Sequence, residues 1–419
     1  MTTGSSKSRV WLAARVVTCD PARETAVDPL GTIEDGAVVV EDGRVAWIGP
    51  RAKAPPADEA FDGGSSVLTP GLVDAHTHAA WVGSRHAEYA VRMAGGDYRA
   101  IAAAGGGIAS SARAVAAASE DEIARVLAER LLRMALLGVT CVEVKSGYGL
   151  EPDGERKQLR AIARAVQRRD LPAVVPTFLA LHALPAGMDR DAYVAQATRL
   201  VSEMALGGLA LFVDAYVDAN AFTVKEARGV CAEAKRAGLG VRMHVGQFAD
   251  VGGAELCAEM GALSADHLEH VGARGIEALA ADGVSAGLLP TASFTLGQTP
   301  PPVAALRAAG VRLVVASDAN PGTAPTESLP LAMAMAVRLY GLSPAEAILG
   351  ATRVAADALG ERDRGRIAVG ARADLVMWDL PHEIALIQPW GTARARRVMR
   401  DGRVIIGETA AGERPVTAS

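Results

Sequence analysis

The segment Pro70–His78, PGLVDAHTH, decides the fold interpretation of this chain. Its mostly apolar residues after Gly71 indicate a short buried strand that leads to His76 and His78. Side chains two residues apart on an extended strand point to the same side, so the two imidazoles converge on one point. Such a pair can chelate a divalent metal, although an isolated HxH pair is more often one exposed and one core histidine. The metal interpretation therefore requires further ligands at the ends of other strands.

The composition is that of a soluble globular protein with a large core, because half of the 419 residues are hydrophobic and 22% are charged. A formal net charge of −5 offers no basic surface for nucleic acid or an anionic membrane. No apolar run reaches the roughly 18 residues of a membrane span, and the N-terminus lacks the apolar core of a secretory signal. The four cysteines have no CxxC spacing, which favours isolated thiols in a reducing compartment. We therefore expect a cytoplasmic enzyme that binds neither nucleic acid nor membrane.

Both ends of the chain predict short β-strands. Asp42-Gly43 and Asp401-Gly402 lie between such strands and are typical hairpin turns. Because each end is too small for a core of its own, we expect residues 1–69 and 361–419 to pack together as one small β-sandwich domain. Residues 70–360 then form a catalytic domain inserted between them.

Strand and helix patterns alternate in the inserted domain. The predicted strands are Leu72–Thr77, Val139–Val144, Val174–Ala180, Leu211–Val217, Val241–Val245, Ser264–His267, Val284–Pro290 and Val311–Ser317. The predicted helices are one that opens at Ser119 and stops at Gly138, then Glu155–Val166, Asp191–Met204, Thr223–Ala237, Gly253–Met260, Arg274–Ala281, Pro302–Ala309, Leu329–Leu339 and Pro344–Leu359. The Gly-rich stretch between the first strand and Ala118 is predicted to be an irregular active-site loop. Eight repeats of this kind predict a (β/α)8 TIM-like barrel, class α/β. A doubly wound open sheet is the alternative, but no GxGxxG motif follows a strand in the way that would support it.

The histidines concentrate where barrel enzymes build their active sites, at the carboxyl ends of the strands. Five of the eight histidines occupy such positions, and Asp318 follows the eighth strand. The five are His76, His78, His182, His244 and His267. Two histidines from strand one, His244 from strand five and Asp318 form a mixed nitrogen and oxygen donor set. This set suits zinc or iron and leaves room for a water molecule.

The expected chemistry is hydrolysis assisted by one divalent ion, Zn2+ or Fe2+/Fe3+. Such an ion lowers the pKa of a water molecule to around 7 and polarises a carbonyl group. Asp318 can both bind the ion and accept the water's proton. His267 is placed to orient the water or shuttle that proton, with a buried core histidine as the alternative interpretation. The candidate catalytic residues are therefore His267 and Asp318.

PGLVDAHTH followed in order by His244, His267 and Asp318 resembles the amidohydrolase superfamily. Its members are metal-dependent hydrolases with a barrel flanked by a small β-sandwich. Many of them hold two metals bridged by a carboxylated lysine at the end of strand four. The corresponding segment here, LFVDAYVDA at 211–219, contains no lysine, so we expect a single metal ion per subunit.

Further motifs resemble the imidazolonepropionase family within that superfamily. They are HTHAAWVGSRHAEY at 76–89, AGGGIASSARA at 104–114, EVKSGYGLE at 143–151, TFLALHALP at 177–185, GALSADHLEH at 261–270 and SDANPGT at 317–323. The resemblance implies hydrolysis of 4-imidazolone-5-propanoate, a small anionic heterocycle, to N-formimidoyl-L-glutamate in histidine degradation. It is also compatible with a homodimer.

The resemblance also implies substrate-binding roles for a set of loop residues. Arg85, whose guanidinium can bind a carboxylate through two parallel hydrogen bonds, is a substrate contact, as are Tyr148, His182 and Gln247. Asn320, Gly322 and Thr323 are expected to hold the carboxylate of the product. Each has a simpler alternative: Arg85 could form a surface ion pair, and residues 320–323 could be only a turn, which would still expose backbone N–H groups suited to an anion. Lys145, in the same region, could be a structural ion-pair partner of Glu143 or Glu151.

Two other functions stay open at this point. One is a related amidohydrolase, a cyclic amidase or a deaminase, that acts on another small heterocycle. The other is a non-catalytic metal-binding paralogue.

Overall fold

The computed structural model describes residues 7–96 and 106–407 of the chain. Within these ranges the strands form two sheets. In chain order the strands are β1 (Arg9–Val16), β2 (Ile33–Glu41), β3 (Arg44–Pro50), β4 (Glu59–Asp62), β5 (Val67–Pro70), β6 (Leu72–Asp74), β7 (Val139–Lys145), β8 (Ala173–Leu181), β9 (Phe212–Val217), β10 (Gly240–Val245), β11 (Ser264–His267), β12 (Ser285–Leu288), β13 (Leu313–Val315), β14 (Leu375–Trp378), β15 (Ala395–Arg400) and β16 (Arg403–Ile406).

Most of the helices lie between the strands of the inserted domain. They are α1 (His86–Met93), α2 (Ile108–Ala117), α3 (Glu120–Leu136), α4 (Pro152–Val166), α5 (Arg190–Leu206), α6 (Val224–Arg236), α7 (Gly253–Met260), α8 (Ala273–Ala281), α9 (Pro290–Leu296), α10 (Val303–Ala308), α11 (Leu329–Tyr340), α12 (Pro344–Gly350) and α13 (Arg353–Ala358). Short 3-10 turns cover Arg51–Lys53 and Glu383–Leu386.

Strands β6 to β13 form a barrel in which each strand pairs in parallel with the next. The first and last strands meet just beyond their ends, where Thr77 and Ala319 form a parallel bridge. The backbone N–H of Asp318 donates to the carbonyl of His76 (3.1 Å), and that of His78 donates to the carbonyl of Ala319 (3.0 Å). This closure confirms the (β/α)8 barrel over the open sheet, and it places Asp318 beside the two histidines.

The barrel wall is rigid because its strands are buried on both faces. Every residue of β7 and β8 is buried, as expected for parallel strands covered by helices. Helix α3 shows the outer layer: Ser119 caps it by accepting a hydrogen bond from the N–H of Glu122 (3.1 Å). Its buried face of Ile123, Leu127 and Leu131 packs against the barrel. Side chains at the strand ends are thus held on a stiff frame.

The two chain ends build the second sheet together, in the order β16-β15-β14-β5-β1-β2-β3, with β4 paired to β1. Strand β5 from the N-terminal part pairs antiparallel with β14 from the C-terminal part. Both predicted hairpin turns are present: Asp42-Gly43 and Asp401-Gly402 all have positive φ, as two-residue type I′ turns require. The sheet meets the barrel at Trp378, because a Cβ on Gly138 would lie 2.3 Å from its ring.

Three local predictions are wrong. The stretch before Ala118 is not irregular throughout, since it contains α1 and α2, and the Ala-rich sequence of α2 favours helix. Residues 97–105 lie outside the described ranges. Strand seven ends at Leu288, and Pro290 instead occupies the first turn of α9, where a missing N–H costs nothing. The predicted helix Pro344–Leu359 is two helices separated at Thr352, whose backbone leaves the helical region (φ −133°, ψ −103°).

None of the helices in the described part of the chain is long and apolar enough to cross a membrane. The four cysteines are buried and free.

Candidate active site

The four predicted ligands converge at the carboxyl end of the barrel. The candidate ligand atoms of His76, His78 and Asp318 all lie within 4.8 Å of one another. The Nε2 atom of His244, on β10, lies 3.1 Å from Nε2 of His76 and 3.2 Å from Nε2 of His78. All four side chains are buried. The structure therefore brings together the four residues that the sequence predicts as metal ligands.

Two buried carboxylates fix which nitrogen of each ring carries a proton. Nδ1 of His76 donates to Oδ2 of Asp266 (2.7 Å), and Nδ1 of His244 donates to Oδ1 of Asp214 (2.9 Å). Burial opposes the charge of Asp214, but the neighbouring His244 and Lys145 outweigh it and hold the pKa of Asp214 well below its usual value. An ionised carboxylate can only accept. The proton of each imidazole is thus on Nδ1, and the lone pair is on Nε2.

The Nε2 atoms consequently face one another without a proton between them. Burial lowers the pKa of His76 and of His244, so both rings are neutral. Two neutral rings with their Nδ1 protons committed elsewhere cannot form a hydrogen bond between their Nε2 atoms 3.1 Å apart. Nitrogen atoms that bind one cation approach each other in this way. The hydrogen bonds from Nδ1 to Asp266 and Asp214 are of the kind that commonly orient metal-binding histidines.

Asp318 supplies the anionic member of the set. Its Oδ1 atom lies 3.6 Å from Nε2 of His76 and 3.4 Å from Nε2 of His78. This buried oxygen has no hydrogen-bond partner among the described residues. A buried acceptor without a partner costs free energy, and a divalent cation would satisfy it. Three nitrogens and one carboxylate oxygen therefore fit a divalent metal ion.

His267, the candidate proton-transfer residue, borders the same cluster. Its ring centroid lies 5.4 Å from that of His244, and it forms a second candidate metal group with His76 and His244. Its Nδ1 lies 3.7 Å from Oε2 of Glu269. Burial disfavours the charged ring, but Glu269 and Asp318 outweigh it and raise the pKa of His267. A histidine that holds a proton more readily than usual is suited to proton transfer.

Both candidate catalytic residues also have left-handed backbone conformations. The φ of His267 is 82° and that of Asp318 is 55°. Non-glycine residues in this region cost on the order of 1–3 kcal/mol each and persist where the surroundings impose them, commonly at active sites. The barrel thus positions these two side chains although their backbone conformations are unfavourable.

A cavity of about 430 Å3 opens above the cluster. Ten of the predicted site residues line it: His78, Arg85, Tyr148, His182, His244, Gln247, His267, Asp318, Asn320 and Thr323. His76 and Gly322 are the two predicted site residues that do not line it. The cavity is large enough for a small heterocycle.

Arg85 is buried at the cavity wall and is not a surface ion pair. Its Nε donates to Oε2 of Glu88 (2.8 Å), and it is 7% exposed. A Cβ placed on Gly322 would lie 2.0 Å from Nη1 of Arg85. Gly322 therefore leaves the space that the guanidinium occupies.

The segment Asn320–Thr323 is a turn closed by its own first side chain. Oδ1 of Asn320 accepts hydrogen bonds from the N–H groups of Gly322 (2.8 Å) and Thr323 (2.7 Å). The expectation that these N–H groups are exposed to an anion is therefore wrong, because they already donate hydrogen bonds to the side-chain oxygen of Asn320. The carboxylate-binding role of these residues stays a prediction.

Hydrogen bonds at the other predicted contacts determine what each can offer a ligand. His182 donates its Nδ1 proton to the carbonyl of Gly147 (2.7 Å), so its Nε2 is an acceptor; burial lowers the pKa of His182 to about 3. Oε1 of Gln247 accepts from the hydroxyl of Tyr216 (2.7 Å), which leaves its NH2 group to donate. Tyr148 packs beside His182 with ring centroids 5.2 Å apart.

Sequence reasoning missed the buried charged residues behind the histidines. These are Asp214, Arg242, Asp266 and Glu269; Glu143 was named only as a possible ion-pair partner of Lys145. For Asp214 the signal was present, because LFVDAYV places a carboxylate inside an otherwise apolar strand, and a buried charge requires a partner. Tyr216, Asn220 and Phe248 also line the cavity, and no motif pointed to them.

The comparisons with known proteins define first the class of protein. The amidohydrolase family matches residues 67–405. Among solved structures, a triazine hydrolase variant superposes with a TM-score of 0.72 at 17% identity, covering 99% of this chain and 97% of that one. The atrazine chlorohydrolase TrzN from Arthrobacter aurescens TC1, complexed with zinc, gives a TM-score of 0.68 at 17% identity, covering 98% and 97%. At this identity the two structures establish the fold alone.

Curated relatives identify the family within the amidohydrolases. Imidazolonepropionase of Paracoccus denitrificans is 46% identical over 367 residues, which cover 85% of this chain and 90% of that protein. The imidazolonepropionase of Caulobacter vibrioides is 45% identical over 390 residues, covering 91% and 96%, and that of a Polaromonas species is 44% identical over 386 residues, covering 90% and 91%. The chain therefore belongs, within the amidohydrolases, to the imidazolonepropionase family, and it is a hydrolase that acts on C–N bonds.

Proposed function

We propose that the chain hydrolyses the ring amide of 4-imidazolone-5-propanoate to N-formimidoyl-L-glutamate, a step of histidine degradation. The observation that carries this proposal is the convergence of three histidine Nε2 atoms and Oδ1 of Asp318 beneath a cavity that also holds Arg85. The identity of 43–46% to imidazolonepropionases supports the same substrate.

We further propose that His76, His78, His244 and Asp318 hold one divalent cation, zinc or iron. The donor set suits both ions. A divalent cation at this position would act as a Lewis acid and make water reactive near neutral pH.

The residues of the chain have distinct tasks in this reaction. Arg85 binds the propionate carboxylate through charge-assisted hydrogen bonds. The acceptor Nε2 of His182 receives a ring N–H, and the NH2 group of Gln247 donates to an acceptor on the ring. Together these contacts orient the ring carbonyl toward the water molecule.

Proton transfer falls to His267 and Asp318. The oxygen of water bonds to the ring carbonyl carbon, the C–N bond breaks, and the departing nitrogen takes up the proton that the water loses. Asp318 accepts this proton from the water first. His267 lines the cavity and is paired with Glu269, so it can pass the proton on from Asp318 to the nitrogen.

We place the reaction in the cytoplasm. Four free, buried cysteines are compatible with a reducing compartment.

The test is turnover by the purified protein, stripped of metal and then reconstituted with Zn2+ or Fe2+. We expect consumption of 4-imidazolone-5-propanoate, with formation of N-formimidoyl-L-glutamate followed by mass spectrometry. His267→Ala should retain the metal and lose on the order of 10²–10⁴-fold in turnover. A metal-loaded protein that acts only on other cyclic amides or aminated heterocycles would be a related amidohydrolase. Metal binding without turnover on any of them, and with His267→Ala indistinguishable from the parent, would identify a non-catalytic paralogue.

A further inference from the structure

Lys145 is a fully buried charge that the proposed reaction does not use. It is the last residue of β7, and its side chain is 0% exposed. Its Nζ donates to Oε1 of Glu143 (2.8 Å) and to Oδ2 of Asp214 (2.8 Å). Its partners are thus Glu143 and Asp214 and not Glu151.

Through the carboxylate of Asp214, Lys145 is connected to His244, one of the proposed metal ligands. The second oxygen of this carboxylate accepts the Nδ1 proton of His244 (2.9 Å) and the backbone N–H of His244 (3.2 Å). Lys145 therefore holds the carboxylate that sets the orientation and the protonated nitrogen of this ring.

Through the carboxylate of Glu143, Lys145 is connected to the segment that carries His76 and His78. Oε2 of Glu143 accepts the backbone N–H of Thr77 (3.0 Å), the residue between His76 and His78. The backbone N–H of Lys145 also donates to the carbonyl of Thr77 (3.0 Å). Lys145 is thus bonded, through one carboxylate on each side, to both segments that carry the three histidines.

Stability alone does not account for this arrangement. Replacement of buried ion pairs by apolar residues of similar volume is often neutral or stabilising, because burial removes the charges from water. The three charged side chains have side-chain exposures of 0%. What they supply is fixed geometry, because each bond direction is set by a side chain in a fully packed environment.

We infer that Lys145 is a positioning residue, which fixes the distance between the His76–His78 segment and His244 by holding Glu143 and Asp214 together. The inference rests on the proposed metal site. It requires that the loss of the Lys145 ammonium weakens metal binding, although Lys145 does not touch the ion.

The first test is the metal affinity of Lys145→Met, a neutral side chain of similar length. Affinity for Zn2+ is measured by competition with a chromogenic chelator, and the geometry of the ligands is measured from the visible spectrum of the Co2+-loaded protein. We expect affinity to fall about 10- to 100-fold, the usual cost of removing an outer partner of a metal ligand, with a changed Co2+ spectrum.

Arg364→Met is the matched control. Arg364 is also buried (4% exposed) and paired with a buried carboxylate, Asp374, but its partners Asp374 and Asp401 flank strands of the second sheet and not of the barrel. This substitution should lower the melting temperature and leave Zn2+ affinity and the Co2+ spectrum unchanged. Equal losses of affinity in both variants would show a general loss of packing and overturn the inference.

The double variant Lys145→Met/Glu143→Gln keeps the test decisive if the single variant does not fold. It removes one charge of each sign, and the Gln oxygen can still accept the N–H of Thr77. We expect the loss of affinity to persist, because Asp214 is still released. Wild-type affinity in the double variant would mean that Lys145 only neutralises Glu143, which overturns the inference.

The outcomes separate this inference from the proposed function. A wild-type protein that binds Zn2+ tightly but does not hydrolyse imidazolonepropionate removes the substrate assignment and leaves the Lys145 test intact. A wild-type protein that binds no divalent ion removes the metal site, and the inference with it.

Discussion

At the scale of single residues, Gly322 controls where the guanidinium of Arg85 can lie. A methyl group on Gly322 would lie 2.0 Å from Nη1 of Arg85, whose Nε is held by Glu88. Gly322→Ala should therefore displace the guanidinium and raise KM for the anionic substrate about tenfold, the equivalent of about 1.4 kcal/mol of binding. Gly322 does not have a positive φ, so the melting temperature should change little. Steady-state kinetics and thermal unfolding measure the two effects.

The control is Gly229→Ala, on α6, where a Cβ would meet nothing within 4 Å. It should leave KM unchanged and raise the melting temperature slightly, because alanine is the better helix former. An unchanged KM in Gly322→Ala would mean that Arg85 does not bind the substrate carboxylate in the position described here.

At the scale of elements, strand β12 has no room for a side chain where it passes Asp266. A Cβ on Gly287 would lie 2.0 Å from Oδ1 of Asp266, the residue it pairs with on β11. Gly287→Ala should push this carboxylate away from His76 and lower Zn2+ affinity about tenfold, as measured by chelator competition. Ala286→Gly, one residue earlier on the same strand, should cost about 1 kcal/mol of stability and leave the affinity unchanged. Similar affinities in the two variants would contradict a role for Asp266 in holding His76.

The same elements explain how far the sequence could predict this molecule. The alternation of apolar strands with amphipathic helices is a local signal, and so is the placement of His76, His78 and His244 at strand ends, so both were predicted. Asp214 and Asp266 were not, because their roles depend on the register between strands: Asp214 pairs with Arg242 across β9 and β10, and this alignment aims its carboxylate at His244. A single sequence contains no local signal for such a register.

At the scale of the whole molecule, the metal site joins distant parts of the barrel. His76 and His78 follow the first barrel strand, His244 lies on the fifth, and Asp318 follows the eighth. A bound ion is therefore a cross-link that the unfolded chain cannot reproduce. Binding at 1,000 times Kd stabilises the folded state by about 4.1 kcal/mol, so removal of metal with a chelator should lower the melting temperature by several degrees, reversibly. In Asp318→Asn the chelator should lower the melting temperature by less. If the chelator does not change the melting temperature of the wild-type protein, the metal site is contradicted.

The buried imidazoles also make the stability of the whole molecule depend on pH. Burial lowers the pKa of His182 to about 3, whereas a histidine in the unfolded chain has a pKa of about 6.5. The unfolded state thus binds more protons below pH 6.5, so the stability that the neutral ring contributes is present above that pH and is lost as the pH falls toward 3. Between pH 7.5 and 5.5 this residue alone should cost on the order of 1 kcal/mol. Urea unfolding of the metal-free protein at the two pH values measures it: His182→Asn should reduce the difference in stability. An equal pH dependence in the wild type and in His182→Asn would mean that the ring of His182 is accessible to protons in the folded state.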